Sequence, residues 1–247
     1  MKTRVNSSKM TLNLAVGTVF VALVCIATLV LTVSVPATSG YFNVGETIIY
    51  VAALLFGPYV AAFAGGLGAA IADMLVAPIF APATLVIKGC EGAIVGFLNK
   101  KMFKQASRSN WRIFTIVLGL IVGILLAITG SIYYSGNVTL YLGFPPPETP
   151  TLTGFVPTET WYFVGGIVAL FIIYVGFKIE PDFGRGVFSM IVGGLEMVVG
   201  YFLYEQLILN KVAVVEIPIN IGQMLIGLIV ALPVTKIVLR SLPQLKS

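Results

Sequence analysis

The chain contains successive apolar runs, most of them long enough to cross a lipid bilayer as helices. Of its 247 residues, 58% are hydrophobic and only 10% are charged, and the mean hydropathy is +1.01. The hydrocarbon core takes about 20 residues of helix to cross, and in lipid only helices or closed barrels satisfy the backbone hydrogen bonds. Because the runs do not alternate as barrel strands do, the sequence predicts an all-α, polytopic membrane helical bundle.

We predict eight spans, near residues 12–35, 44–56, 58–76, 82–99, 112–134, 160–178, 186–209 and 214–238. The second and third are short and are separated by Gly57-Pro58, which is a turn signal. One bent helix over 44–76 is the alternative interpretation.

The basic residues favour eight spans. With this count, all Lys and Arg residues fall on one side of the membrane except Lys211 and Lys88, which lies within a span. Such a bias marks the cytoplasmic side, so both termini are predicted to be cytoplasmic in the cell membrane. Merging 44–76 into one span would put every later loop on the wrong side. The bias also explains the net charge of +5 without a nucleic-acid partner.

Polar residues inside the spans cluster between the bilayer centre and the outer surface. Lys88 and Glu91 stand three residues apart on one helix face, where they can pair. Glu196, Asn220 and Gln223 lie at similar depths in the last two spans. Charged residues at this depth are functional candidates, so we predict an outward-opening polar cavity, with Glu91 and Glu196 as counter-ions of Lys88. A purely structural network is the alternative.

Other polar residues have two interpretations each. Asp73, Glu46 and Glu205 either join this cavity or sit at helix ends among lipid headgroups, and Tyr201 either lines it or belongs to an aromatic belt. The sequence lacks His, has two cysteines inside apolar runs and has no P-loop. We therefore predict that the chain is not an enzyme and that it has no catalytic residue, no metal site and no cofactor.

Small residues recur at a spacing of four in two neighbouring spans. Ala61, Gly65 and Ala69 follow this spacing in the third span, and Gly92 and Gly96 follow it in the fourth. Such faces let helix backbones approach closely. Packing within the bundle is the favoured interpretation, and a partner interface is the alternative.

Four stretches together resemble a known family. They are GYFNVGETIIYVAALLFGPYVAAFAGGLGAAIADML (40–75), APATLVIKGCEGAIVGFL (81–98), MVVGYFLYE (197–205) and IPINIGQMLIGLIVALP (217–233). With their K-G-x-E-G and P-x-N-x-x-Q elements, they resemble substrate-binding S components of energy-coupling factor (ECF) vitamin transporters, in the riboflavin and hydroxymethylpyrimidine-type branch.

This resemblance implies a single membrane domain over 1–247 with a six-helix core. Core helices one to four would occupy 10–102 and core helices five and six 185–241. The segment 103–184 would be an inserted transmembrane pair with an outer loop at 135–158, which could alter docking or bind a lipid or another subunit.

The resemblance also implies where the ligand and partners bind. The implied ligand-binding residues near the outer face are Tyr41, Asn43, Thr84, Lys88, Glu196, Tyr201, Asn220 and Gln223, to which the polar cluster adds Glu91. S components carry no ATPase and dock through their first helices onto a membrane coupling subunit with two ATPases. Thr18 and Ala22 are the best substitutes for the family's Ala-x-x-x-Ala contact motif.

The leading functional prediction is the import of a small water-soluble vitamin or cofactor precursor, riboflavin- or pyrimidine-like, driven by an ATP-dependent ECF module. A stand-alone ion-coupled secondary transporter is the alternative, with Glu91 and Glu196 carrying protons. The charge of the ligand stays open. Lys88 could pair with an anionic ligand, or be neutralised internally and leave the site to a neutral one.

Overall fold

The computed structural model describes residues 2–101, 108–143, 147–178 and 181–246. These contain eight α-helices, whose bounds are α1 (Lys2–Val30), α2 (Gly45–Phe56), α3 (Pro58–Val76), α4 (Ala81–Lys101), α5 (Arg108–Tyr133), α6 (Thr158–Lys178), α7 (Pro181–Leu203) and α8 (Glu216–Ser241). Six helical stretches among the described residues are long and apolar enough to cross a membrane. The predicted helical membrane bundle is confirmed, and every predicted span overlaps one helix.

The turn between α2 and α3 is sharp because of its two residues. Gly57 has a φ of +86°, which is easy for glycine only, and Pro58 opens α3 at its first turn. Tyr41, just before α2, contacts Asp73, near the end of α3. The two helices therefore run antiparallel, as predicted for two short spans rather than one bent helix over 44–76.

The bundle has two chemically different ends. We call the end where α2, α4 and α8 begin the pocket end, and the opposite end the basic end. At the basic end the Lys100 ammonium donates to the Phe56 carbonyl (3.3 Å). At the pocket end Lys211 lies in the segment between α7 and α8. Which end faces the cytoplasm stays a prediction.

A small antiparallel sheet at the pocket end was not predicted. Its strands are β1 (Val33–Val35), β2 (Gly40–Phe42), β3 (Gly136–Leu142) and β4 (Leu152–Val156), in the order β2-β1-β3-β4. Consequently α1 ends at Val30 rather than at residue 35, and the predicted outer loop forms a hairpin. The backbone N–H of Gly143 donates to the Thr32 carbonyl (2.9 Å), which extends the link between this hairpin and the segment after α1.

Helices α5 and α6 form a tight pair beside the rest of the bundle. A Cβ on Gly123 would lie 2.5 Å from the Gly165 carbonyl oxygen, so these two backbones touch. The Tyr134 hydroxyl donates to the Val215 carbonyl (2.8 Å) at the start of α8. The Trp161 indole donates to the Tyr134 carbonyl (2.8 Å), which ties α6 to the same point.

Small residues on two sides of α3 allow close packing within the bundle. A Cβ on Gly68 would meet the Val21 carbonyl oxygen of α1 at 2.6 Å. A Cβ on Gly92 of α4 would meet the Ala61 carbonyl oxygen of α3 at 2.5 Å. Packing within the bundle therefore occupies the small residues on both sides of α3.

We expect Gly92→Ala to destabilise the protein by ~1–3 kcal/mol, because the methyl group must push α3 and α4 apart. The measurement is the thermal unfolding midpoint in mild detergent. Gly166→Ala in α6 is the matched control, since a Cβ there meets nothing within 4 Å. Equal midpoints for the two variants would contradict this account of the α3–α4 contact.

Candidate ligand-binding site

Lys88 forms the floor of the site and is held by two carboxylates. It is 3% exposed and forms ion pairs with Glu46 of α2 and with Glu91, at 3.1 Å for the second. The Tyr50 hydroxyl donates to Glu91 (2.9 Å). Both carboxylates are fully buried, and buried charges require such pairing.

Glu46, not Glu196, is the second counter-ion of Lys88. Glu91 was expected and is in place, but the described chain shows no ion pair between Lys88 and Glu196. Glu46 takes this position because α2 packs against α4 at the level of Lys88. The half-buried Glu196 retains one carboxylate oxygen without a hydrogen-bond partner.

A second polar group centres on Asp73 of α3. Its carboxylate accepts hydrogen bonds from Tyr41 of β2 and Thr84 of α4. The Thr84 hydroxyl also lies 2.8 Å from that of Tyr201 on α7. Burial, and the Asp73 carboxylate beside it, raise the pKa of the Tyr41 hydroxyl, so Tyr41 remains a neutral donor.

Two amides of α8 hold the start of α2. The Gln223 side-chain oxygen accepts from the Asn43 backbone N–H (2.7 Å), and its amide nitrogen donates to Asn220 (2.9 Å). Asn43 in turn accepts from the Gly45 backbone N–H (2.9 Å). These bonds fix the position of the first turn of α2, which carries Glu46.

The three groups meet in a crevice at the pocket end. It encloses about 360 Å³ of empty space, including space open to solvent, but the centre of a water molecule reaches only about 30 Å³ of it. A ring-sized ligand therefore needs side chains to move. The residues lining the crevice are Gly40, Tyr41, Asn43, Asp73, Phe80, Lys88, Tyr201, Glu205, Glu216, Asn220 and Gln223.

Comparison with known proteins identifies the family. The family model described as "ECF-type riboflavin transporter, S component" matches residues 8–146 and 149–240. The chain belongs to this family. A Pyrococcus woesei protein described as "Uncharacterized protein in gap 3'region" is 40% identical over 118 residues, which cover 48% of this chain and 73% of that protein.

The chain is therefore the substrate-binding component of an ECF-type transporter. The members of this family are transport proteins rather than enzymes. The family match also runs through most of 103–184. The α5–α6 pair is thus within the part of the S component that resembles the family model.

The structure brings most of the predicted binding residues to one place. Those that line the crevice are Tyr41, Asn43, Lys88, Tyr201, Asn220 and Gln223. Thr84 lines a smaller adjoining recess with Glu46. Glu91 is fully buried next to Lys88, and neither it nor Glu196 is among the residues that line these two spaces.

The prediction did not commit to several residues that line the crevice or support its floor. Glu46, Asp73 and Glu205 stayed open between the cavity and the headgroups, and Phe80 and Glu216 were not among the predicted binding residues. The signal that could have identified these carboxylates was their number at the helix termini of the pocket end. Each carboxylate, however, was also compatible with a position among lipid headgroups. Thr18 and Ala22, the predicted docking residues, are exposed on α1.

We expect Lys88→Met to destabilise the S component by ~3–5 kcal/mol, because it leaves two buried carboxylates without a cation. Thermal unfolding in detergent measures the loss. The triple variant Lys88→Met, Glu46→Gln, Glu91→Gln should recover most of it, and Lys100→Met at the exposed basic end is the control. A Lys88→Met protein as stable as the control would contradict the assigned pairing.

Proposed function

We propose that this S component binds a small water-soluble vitamin or cofactor precursor, riboflavin- or pyrimidine-like, and imports it with an ATP-driven ECF module. The observation that carries the proposal is the crevice at the pocket end, where aromatic rings and amide side chains converge above an ion-paired floor. Polar groups that converge beside aromatic rings in a cleft are typical of small-molecule sites.

The aromatic wall suits a flat ring. Phe80 packs edge-on against Tyr201 with ring centroids 6.4 Å apart, and lies 6.1 Å from the ring of Tyr204. The Lys88 ammonium is 5.6 Å from the centre of the Tyr201 ring. A planar ligand can add to this cluster by stacking, while Asn220 and Gln223 offer both donors and acceptors to its edge.

A strap covers the crevice, formed by the segment from β1 to β2. The Thr38 hydroxyl donates to Glu216, and the Lys211 ammonium donates to the Thr38 carbonyl and to the Ser39 hydroxyl (2.8 Å). Because so little of the crevice admits water, a ligand enters only when some of these contacts open. The Thr38–Glu216 bond is buried, whereas the bond from Lys211 to Ser39 is exposed, so we expect opening to begin at Lys211.

The exposed face of α1 suits a partner helix. Thr18 and Ala22 stand one turn apart on it, and the Thr18 hydroxyl is satisfied by the Leu14 carbonyl (2.9 Å). Small residues with no unpaired polar group allow close helix contact in lipid. The coupling subunit would dock there, with the basic end in the cytoplasm, and its ATPases would supply the energy.

Native mass spectrometry of the chain purified in mild detergent tests the binding function. We expect a vitamin-sized molecule to co-purify and to be lost in Asn220→Ala, because this residue lines the crevice. Asn137→Ala, on the exposed strand β3, is the matched control and should retain the molecule. An empty chain that also binds nothing from a vitamin panel would refute the proposal.

Uptake into liposomes tests the coupling. With the ECF module and ATP, the ligand should accumulate, while the chain alone should not concentrate it. Accumulation driven by an ion gradient through the chain alone would instead establish the secondary-transporter alternative.

We expect Ala22→Trp to preserve ligand binding but weaken docking by about tenfold or more, which corresponds to ~1.4 kcal/mol. The bulky ring would separate α1 from the coupling subunit. Co-purification with the module measures the effect, and Ile167→Trp on the exposed face of α6 is the control. Equal recovery of the module with both variants would place the docking surface elsewhere.

A further inference from the structure

The crevice contains more carboxylates than cations. Lys88 is the one basic residue among the described residues that line it, and two carboxylates already face that ammonium. Asp73, Glu205 and Glu216 add further carboxylates to the wall. In a site largely shielded from water, such an excess repels anions and attracts cations.

Two of these wall carboxylates have donors from the protein. Asp73 accepts hydrogen bonds from two neutral hydroxyls, and Glu216 accepts one from Thr38. Hydrogen bonds from neutral groups satisfy the oxygens but add no positive charge. The crevice therefore still holds more acidic than basic side chains.

Glu205 is different, because no donor in the described part of the chain reaches its Oε2 atom. It is 2% exposed, and this oxygen has no hydrogen-bond partner there. Lys211 is nearby, but its ammonium is directed to the strap and makes no ion pair with Glu205 in the described chain. A buried acceptor left unsatisfied destabilises the folded protein, and more so when it is charged.

The backbone around Glu205 is also special. Glu205 lies in a π-helical turn, Tyr204–Ile208, that follows α7 directly. Its carbonyl accepts from the Lys211 backbone N–H (2.9 Å), which fixes the turn in place. Single π-helical turns are rare and frequently occur at functional sites. The irregular turn thus holds an unsatisfied carboxylate against the wall of the crevice.

We propose that Glu205 receives a positively charged, N–H-bearing group of the ligand, such as an amidinium edge or a protonated ring amine. This inference rests on the proposed function and specifies its substrate class: a planar nitrogen cation, not an anion. Glu216 lies close enough to Glu205 to interact with it electrostatically, so a cation bound at Glu205 also relieves the repulsion between the two carboxylates. Two N–H groups on one edge match a carboxylate in a bidentate pair.

Three ring compounds that differ in charge test the inference directly. Benzamidinium, benzamide and benzoate share one ring and carry a positive, a neutral and a negative group. We expect the purified S component to bind benzamidinium about tenfold or more tightly than benzamide, and benzoate least, as measured by calorimetry. Preference for benzamide or benzoate, or no saturable binding of benzamidinium, would overturn the inference.

Two variants test whether Glu205 causes the preference for benzamidinium. Glu205→Gln keeps the shape but removes the charge, so it should abolish the preference for benzamidinium. Glu148→Gln, in the exposed loop between β3 and β4, is the matched control and should keep it. A preference that survives in Glu205→Gln would show that the cation binds elsewhere.

The stability of the ligand-free protein gives a second, independent readout. Because Glu205 accepts no side-chain hydrogen bond among the residues that the structure describes, Glu205→Gln should leave the unfolding midpoint unchanged or raise it. A large drop would show that Glu205 is a structural anchor. A neutral or anionic vitamin that co-purifies and is retained in Glu205→Gln would overturn this inference while leaving the proposed function intact.

Discussion

The buried ammonium of Lys88 is the constraint on which the rest of the structure depends. A charge at this depth is tolerated only with close counter-ions, and it obtains them from two helices, Glu91 on its own and Glu46 on α2. Glu46 stands in the first turn of α2, where the helix dipole favours a carboxylate. The position of α2 is therefore fixed electrostatically, and the amides of α8 secure it through Asn43.

Close backbone contacts make this arrangement possible. Glycines on α3 and α4 remove the side chains that would separate the two helices, so α3 fits against α1 on one side and α4 on the other. In lipid, where burial of apolar surface contributes little, such packing supplies much of the association. The tight contacts lie along the helices, and the crevice opens where the strap and the start of α8 replace helix contacts.

The sequence predicted the helices well because hydropathy reports burial in lipid directly. The residues deep in a span, such as Lys88, Asn220 and Gln223, were also found, since no headgroup position explains them. Glu205 stayed open between the cavity and the headgroups, and Glu216 was not among the predicted binding residues, because a carboxylate near a helix end is ordinarily solvated. Strand β1 was not predicted for a related reason. Val33-Ser34-Val35 continues the apolar run of α1, so hydropathy shows no boundary where the helix ends.

The shared sheet has a consequence for the rate of exchange. β1, part of the strap above the crevice, is hydrogen-bonded to β3, which continues from α5. The strap can lift only if this ladder breaks or if the hairpin between α5 and α6 moves with it. Those two helices present broad apolar faces to the lipid. On the proposal that the crevice binds the ligand, the time that a ligand spends bound depends on the thickness and lateral pressure of the surrounding bilayer as well as on the crevice.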